Sequence, residues 1–312
     1  MKNRDLLLSL VLLAVSFTAR AQTPSLTFKF TTVTIPHAQQ SILLGVNNSN
    51  VMVGAYLDRQ GVQHGFRLEG KTVTDIDDPN GPTTTYCYGI NASGTIVGTY
   101  VTASRLSQAF VFENDSFRDI VPPGSQVSAA HGINDQGAVV GAYLDASGVQ
   151  HGFLLNDSSY TTLDVPGAAS TDATGINNSG MIALDWARAA GHVRSSLYDG
   201  AKYKTINVPG AAGSAVHGLN NLGDLIYSWI DGAGISHGAL RHMGKFYKFD
   251  DPHAVNTYGV GINDQQRIVG SFRPANGLVK AYRATYYPLT SHDSIGLSTT
   301  NPTTIGRSKT PY

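Results

Sequence analysis

The sequence predicts an all-β protein, a six-bladed β-propeller of four-stranded blades whose ring is closed by the N-terminal strand. The first observation behind this prediction is a repeat of 43 or 44 residues, because a period of about 40–50 residues is typical of propeller blades. A Gly-apolar-Asn triplet occurs six times at this spacing, and each copy marks the start of one blade. These triplets begin at Gly45, Gly89, Gly132, Gly175, Gly218 and Gly261.

Two further columns of residues keep the same register in all six copies, which argues against a chance pattern. One column consists of prolines, and the other of aromatic residues that follow the glycines by eleven positions. The prolines are Pro36, Pro79, Pro122, Pro166, Pro209 and Pro252. The aromatic residues are Tyr56, Tyr100, Tyr143, Trp186, Trp229 and Phe272.

Each repeat divides into four short β-rich segments that are separated by Gly, Asn and Asp turns, and no segment has helical periodicity. The first strand ends in the Gly-apolar-Asn triplet, and the second ends at the aromatic residue, as in 95–100. The third strand carries a His-Gly-Phe element, as in 151–155, and the fourth runs into proline, as in 160–166. Four such strands fill the repeat, so a functional site has to be built from short loops, strand ends or the central channel.

The two ends of the array predict how the ring closes. The segment at about 28–36 resembles a fourth strand with no preceding three, whereas the last repeat, from Gly261 to Tyr287, contains three strands and no fourth. Joining them completes six blades and leaves no unpaired strand edge. The predicted propeller therefore occupies residues 22–287.

Both termini outside this array have distinct compositions. Residues 1–21 combine Lys2 and Arg4, an apolar run at 6–17 and the sequence Ala19-Arg20-Ala21, which is the pattern of a secretory signal peptide. No later apolar run is long enough to span a membrane. We therefore expect a bacterial secreted or periplasmic protein without a membrane span after cleavage. Residues 288–312 are polar and are expected to form a disordered tail.

Composition excludes several classes of protein. The 22 basic and 22 acidic residues balance, so there is no basic excess for binding nucleic acid. The single cysteine, Cys87, excludes an internal disulfide and a Cys-rich zinc module, and we expect it to be buried. We expect no cofactor and no metal, and we expect a monomer.

Third-strand elements such as His64-Gly65-Phe66 and His151-Gly152-Phe153, together with the Gly-Ile-Asn and Val-Gly-x-Tyr elements, resemble a bacterial extracellular repeat family named for its His-Ala-Phe tripeptide. The resemblance covers about residues 28–287. It implies secretion and a repeat architecture, but it carries no general activity over to this chain.

Residues that occur in every blade are interpreted as structural. The asparagines of the triplets are expected to bond to turn backbone. The third-strand histidines His64, His151 and His237 are expected to bond to neighbouring backbone rather than to a metal, because alternate blades of a ring lie too far apart to share one ion. The asparagines are Asn47, Asn91, Asn134, Asn177, Asn220 and Asn263.

Residues that depart from the repeat are the candidates for function. On the innermost strand, His131 and His217 stand where other blades have Leu, Tyr, Thr or Val. The fourth blade departs most. If the protein is an enzyme, the catalytic candidates are His131, His217, His192 and Asp172. The candidates for ligand binding are Tyr86, Tyr88, Arg188, His253 and Tyr258.

Two classes of function remain open. One is a secreted binding or scaffold propeller that presents one face and the central channel to a carbohydrate or an extracellular protein. The other is an extracellular polysaccharide hydrolase or lyase that uses His, Asp, Tyr and Arg residues on the same face. Low charge, short loops and the absence of a phosphate loop, a nucleophile elbow or a His-Glu-x-x-His helix favour the first class. Convergence of His, Asp, Tyr and Arg in one pocket would favour the second.

Overall fold

Twenty-four β-strands form six four-stranded sheets in the part of the chain that the structure describes. The structure is a computed structural model that describes residues 25–189, 191, 193–275 and 277–288. Residues Thr27–Tyr287 form one compact unit. The predicted signal peptide and, apart from Pro288, the predicted tail lie outside the described residues.

Five blades are built from consecutive strands, with the innermost strand first. Blade 1 contains β2 (Gln40–Val46), β3 (Met52–Leu57), β4 (Gln63–Glu69) and β5 (Thr72–Asp75). Blade 2 contains β6 (Thr85–Ile90), β7 (Ile96–Val101), β8 (Ser107–Glu113) and β9 (Ser116–Ile120). Blade 3 contains β10 (Val127–Ile133), β11 (Val139–Leu144), β12 (Gln150–Asn156) and β13 (Ser159–Leu163). Blade 4 contains β14 (Ser170–Ile176), β15 (Ile182–Ala187), β16 (Arg194–Tyr198) and β17 (Tyr203–Thr205). Blade 5 contains β18 (Gly213–Leu219), β19 (Leu225–Ile230), β20 (Ser236–His242) and β21 (Lys245–Phe249).

The sixth blade confirms the predicted closure. It contains β22 (Asn256–Ile262), β23 (Arg267–Arg273) and β24 (Lys280–Pro288), and its outermost strand is β1 (Leu26–Val33) from the N-terminus. Each innermost strand contacts the next, and β22 contacts β2, so the six blades form a closed ring. The fold is a six-bladed β-propeller, as predicted. No helix long and apolar enough to cross a membrane occurs among the described residues.

The hydrophobic core lies between neighbouring blades. Val51 and Val53 of blade 1 pack in one cluster with Ile96 and Phe110 of blade 2. Cys87 belongs to the same cluster and is fully buried, as predicted, and burial raises the pKa of its thiol. Because each blade covers the apolar face of the next, closing the ring removes the last exposed sheet face.

The glycine column allows the innermost strands to approach one another. Each innermost strand has a β-bulge immediately before its glycine, for example between Leu43 and Gly45. A Cβ atom on Gly45 would lie 2.5 Å from the carbonyl oxygen of Tyr88 on the next blade. A larger residue would push the strands apart, so glycine is required by close packing around the axis.

The six asparagines form a closed ring of hydrogen bonds at the end of the channel where the innermost strands finish, which we call the lower face. Each Oδ1 accepts from turn backbone, as Asn134 does from the N–H groups of Gln136 and Ala138 at 3.1 and 2.9 Å. This confirms the predicted turn role. Each Nδ2 also donates to the backbone carbonyl of the asparagine in the next blade, and the last bond, from Asn263 to Asn47, closes the circle. The sequence did not predict this second role.

Candidate functional site

The opposite half of the channel, towards the upper face where the innermost strands begin, contains a cavity of about 360 Å³. We call it the channel cavity. Each blade contributes the residue immediately before its column glycine: Leu44, Tyr88, His131, Thr174, His217 and Val260. Asp172 and Tyr258 line it from two positions earlier on their strands, and Asp185, Ser228 and Ser271 line it from the second strands. Side chains two apart on a strand point to the same side, so these residues form successive levels of one wall.

His131 and Asp172 form a hydrogen-bonded pair in this cavity. Nδ1 of His131 lies 2.8 Å from Oδ1 of Asp172 on the neighbouring blade. Burial alone lowers the pKa of His131, but the charge and the hydrogen bond of Asp172 outweigh burial, and the net result is a raised pKa. The ring of Tyr88 meets the His131 ring edge-on, with centroids 5.1 Å apart. A histidine held in this way by a carboxylate is suited to accept a proton.

Asp185 is the second carboxyl group of the cavity. It lies directly across the strand pair from Asp172, and its Oδ1 accepts hydrogen bonds from Ser195 Oγ at 2.8 Å and from the Val216 N–H at 3.0 Å. Burial raises the pKa of Asp185 to about 8, although those two hydrogen bonds act in the opposite direction, and the charge of Asp172 contributes to the rise. At neutral pH this carboxyl group is therefore mostly protonated and can donate a hydrogen bond or a proton.

His217 faces the cavity from the blade on the other side of Asp172. Burial lowers the pKa of His217 to about 4, although the negative charge of Asp172 acts in the opposite direction. The ring is therefore neutral at neutral pH. No hydrogen bond joins it to another of the described side chains. The channel cavity thus holds the hydrogen-bonded pair of Asp172 and His131, one neutral carboxyl group and one neutral imidazole.

The structure brings together some of the predicted site residues and separates others. Five of them, His131, His217, Asp172, Tyr88 and Tyr258, line the channel cavity. Three others, Tyr86, Arg188 and His253, do not belong to its lining.

Tyr86 lies beside the cavity and stacks on Tyr88, with centroids 5.8 Å apart and planes at 18°. Arg188 is exposed and lies over Trp186 at 5.9 Å, together with Arg194 at 5.8 Å. His253 has 80% of its side chain exposed, in a loop where it contacts Asp251. His192 lies outside the described residues.

Asp185 is the residue that the sequence analysis missed. The corresponding positions of the other blades hold Ala55, Thr99, Ala142, Ser228 and Ser271, so a carboxyl group there departs clearly from the repeat. That departure was the available signal. Adjacent apolar residues on the second strands, such as Val139 and Val140, indicate burial between blades and do not show that one residue of this strand reaches the channel.

The third-strand histidines correct one prediction. They bond to carboxylates and not to neighbouring backbone. Nδ1 of His64, His151 and His237 lies 2.7, 3.0 and 2.9 Å from Asp77, Asp164 and Asp250, respectively. The other ring nitrogen lies 3.4–3.5 Å from an aspartate of the preceding turn. Within the described part of the chain, no group of three or more His, Cys, Asp or Glu residues is arranged to hold a metal ion.

Comparison with known proteins gives the fold but no family. No protein-family model and no curated protein matches the sequence. Among solved structures, a putative TolB from Agrobacterium tumefaciens is 14% identical with a TM-score of 0.56, covering 86% of this chain and 100% of that one. The lectin SapL1 in complex with α-methyl fucoside is 11% identical with a TM-score of 0.53, covering 79% of this chain and 93% of that one. The fungal lectin of Aleuria aurantia, described as a six-bladed β-propeller with a novel fucose recognition mode, is 13% identical with a TM-score of 0.51, covering 81% and 93%. Similarity at this level of identity extends to the fold alone.

Proposed function

We propose that the protein is a propeller that binds a carbohydrate in the channel cavity. The observation that carries this proposal is the arrangement of its wall. Carboxyl, imidazole and hydroxyl groups line it from blades 3 to 5, and Leu44, Val260 and tyrosine rings line it from blades 6, 1 and 2, together with the hydroxyl of Ser271. A sugar presents hydroxyl groups at its edge and C–H groups on its faces, so it needs both kinds of surface. The volume of about 360 Å³ falls at the lower end of the range of about 300–1,000 Å³ that is usual for small-ligand sites.

The charge of the cavity supports a neutral ligand. Asp172 is paired with His131, and the raised pKa of Asp185 and the lowered pKa of His217 leave those two groups uncharged near pH 7. An ionic ligand would have to be desolvated without a free opposite charge to compensate, which is unfavourable. Uncharged sugar hydroxyls can instead donate to the Asp172 carboxylate and accept from the protonated Asp185.

Two further observations support the proposal from outside the cavity. The N-terminal sequence pattern and the resemblance to the His-Ala-Phe repeat family favour secretion, where glycans are abundant. Two lectins whose structures are described with a fucoside or with fucose recognition share the propeller fold. Their low identity transfers no residue roles, so the proposal rests on the channel cavity itself.

Glycan-array retention followed by calorimetry tests this function. We expect the wild-type protein to retain one class of glycan, and we expect Asp172→Asn to weaken binding by about 10–100-fold, because a hydrogen bond to a charged group contributes about 1.5–3 kcal/mol. Asp115→Asn, an exposed turn position, is the matched control and should bind like the wild type. Absence of any retained glycan, or equal affinity in Asp172→Asn, would refute the proposal.

The second candidate function is a polysaccharide hydrolase or lyase at the same site. The observation that favours it is the presence of a carboxylate-held histidine and a protonated carboxyl group in one cavity. His131 would remove a proton from water or from the sugar, and Asp185 would protonate the leaving glycosidic oxygen. In hydrolysis, water is added across the broken bond. In elimination, the proton lost to His131 balances the proton gained by the leaving group, and a double bond remains.

Incubation of the retained polysaccharides with the protein separates the two candidates. New reducing ends indicate hydrolysis, and unsaturated ends indicate elimination. Either product should disappear in Asp185→Asn and in the His131→Ala/His217→Ala double variant. Retention of a glycan without any new ends removes the enzyme candidate and leaves the binding function.

A further inference from the structure

A second cavity of about 150 Å³ lies next to the channel cavity, on the side of blade 1. We call it the outer cavity. Aliphatic side chains of blade 1 and blade 6 line it together with Tyr86 of blade 2, Ser41 and the two glutamines Gln40 and Gln63. The lining includes Ile42, Ala55, Leu57, Gln63, Tyr86 and Val279. None of them belongs to the lining of the channel cavity.

The two cavities occupy consecutive positions along the same two strands. On β2, Ile42 lines the outer cavity and Leu44 the channel cavity, and on β6 Tyr86 and Tyr88 do the same. Residues two apart on a strand are separated by about 6.5–7 Å and point to the same side. Tyr86 and Tyr88 are also stacked, so the aromatic wall continues from one cavity to the other. This separation suits two covalently linked parts of one ligand.

The chemistry of the outer cavity is opposite to that of the channel wall across the ring. Blade 4 carries Asp172 and Asp185 as a cross-strand pair, and the same register positions of blade 1 hold Ile42 and Ala55. Because blades 1 and 4 are opposite in a ring of six, the wall changes from polar to apolar across the channel. A ligand that spans both cavities would therefore place hydroxyl groups towards blade 4 and an apolar group towards blade 1.

Two polar groups that line the outer cavity have no hydrogen-bond partner among the described residues, whereas Oε1 of Gln40 accepts from the Val279 N–H at 3.2 Å. No described residue forms a hydrogen bond with the hydroxyl of Tyr86, whose ring is half-buried, or with the side-chain amide of Gln63. Burial raises the pKa of the Tyr86 hydroxyl, so it remains a donor at neutral pH. These two groups can bond to the oxygen that links an apolar substituent to a sugar.

We propose that the outer cavity is a subsite for an apolar, aryl or alkyl aglycone of a glycoside whose sugar occupies the channel cavity. The inference rests on the proposed function and names the class of ligand: glycosides rather than unsubstituted sugars. The linkage oxygen lies near Tyr86, and the aglycone packs on Ile42, Leu57 and Val279.

The test compares two forms of the same sugar by calorimetry. The probes are the methyl and 4-nitrophenyl α- and β-glycosides of glucose, galactose, mannose, xylose and fucose. We expect the aryl form of the sugar that binds to be at least tenfold tighter than its methyl form. Ala55→Leu fills the outer cavity and should reduce the affinity of the aryl form to that of the methyl form, while the affinity of the methyl form remains unchanged. Ala142→Leu, at the corresponding position of blade 3, is the matched control and should keep the tenfold preference.

A second variant keeps the test valid if Ala55→Leu fails to fold. Leu57→Asn replaces an apolar wall residue near the strand end and should also remove the aryl preference. Equal affinity of the two forms for the wild type would overturn the subsite and leave the sugar site standing. A preference that survives both Ala55→Leu and Leu57→Asn would place the aryl group elsewhere and also overturn it. If neither form binds, the proposed function fails, and the subsite fails with it.

Discussion

Replacement of Asp185 by asparagine should stabilise the protein at alkaline pH. The buried carboxyl group has a pKa of about 8 in the folded protein, whereas the ordinary pKa of an aspartate is 3.8. The folded state therefore keeps its proton to a higher pH than the unfolded chain. Its stabilising contribution is complete below about pH 4 and is lost as the pH rises through about 8. Linkage over that interval gives about 6 kcal/mol as an upper value.

Asparagine preserves the local hydrogen bonds because Oδ1 accepts both of them, from Ser195 and Val216. Water in the open cavity screens part of the charge, so we expect Asp185→Asn to raise the free energy of unfolding by about 2–4 kcal/mol at pH 9. At pH 4.5 the two proteins should differ by less than about 1 kcal/mol. Urea unfolding at both pH values measures this difference, with Asp115→Asn as the exposed control.

The refuting result is equally direct. If Asp185→Asn and the wild type have the same stability at pH 9, the Asp185 carboxyl group ionises as it would in water. The cavity would then carry a second negative charge at neutral pH. In that case the cavity would not favour a neutral ligand, and Asp185 would not act as a proton donor.

Three further predictions concern the ring. Asn134→Ala removes three hydrogen bonds, one to the carbonyl of Asn177 in the next blade and two from the turn N–H groups of Gln136 and Ala138. It should lower the free energy of unfolding by about 3 kcal/mol in urea titrations. Gln136→Ala, at an exposed position, should change the free energy of unfolding by less than about 0.5 kcal/mol. Burial lowers the pKa of His64, but the hydrogen bond and the charge of Asp77 raise it above its ordinary value. The pair therefore stabilises the folded protein below about pH 6.5, and this stabilisation is lost as the pH rises further. His64→Gln should reduce the melting temperature more at pH 5.5 than at pH 8.5, and equal reductions would contradict the pairing. Removal of residues 1–33 exposes the edge of β24 and eliminates the contacts of Phe28 and Phe30 with Phe249, so light scattering should detect self-association that a chain starting at Gln22 does not show.

The sequence predicted the architecture because a repeated unit carries its own register. Six copies of the glycine triplet set the number of blades, and the incomplete first and last repeats indicated that β1 closes the ring. The bonds from each asparagine to the next blade were not predicted, because a single repeat shows which turn a side chain can reach but not which neighbour the ring brings alongside. The third-strand histidines were mispredicted for another reason: their aspartate partners lie in the same repeat, six and thirteen residues away, on turns whose approach to the third strand the sequence does not show.

Predicted residues that depart from the repeat on the innermost strand line the channel cavity. His131, His217 and Asp172 face the channel because that strand borders the axis. Arg188 and His253 also depart from the repeat, but they belong to loops and are exposed outside the channel cavity. Asp185 was missed because position on a second strand does not reveal whether a side chain faces the neighbouring blade or extends to the axis. Departure from a repeat identifies candidates, and distance from the axis selects among them.

The energetic difference between the two ends of the channel argues that the channel cavity is functional. At the lower face the six asparagines repeat around the ring, and each donates to the backbone of the next blade, which is what folding alone requires. At the upper end, blade 4 places two carboxyl groups directly opposite each other where its siblings carry uncharged residues (Ile, Ala or Tyr opposite Ala, Thr or Ser). Burial of Asp185 destabilises the folded state above about pH 4, because its raised pKa means that the folded protein disfavours the ionised carboxylate. Random divergence of duplicated repeats does not account for two carboxyl groups in one strand pair with one histidine on each side of them. Local destabilisation of this kind is expected where residues serve a ligand or a reaction, so the stability gained in Asp185→Asn should be accompanied by a changed pH dependence of glycan binding or cleavage.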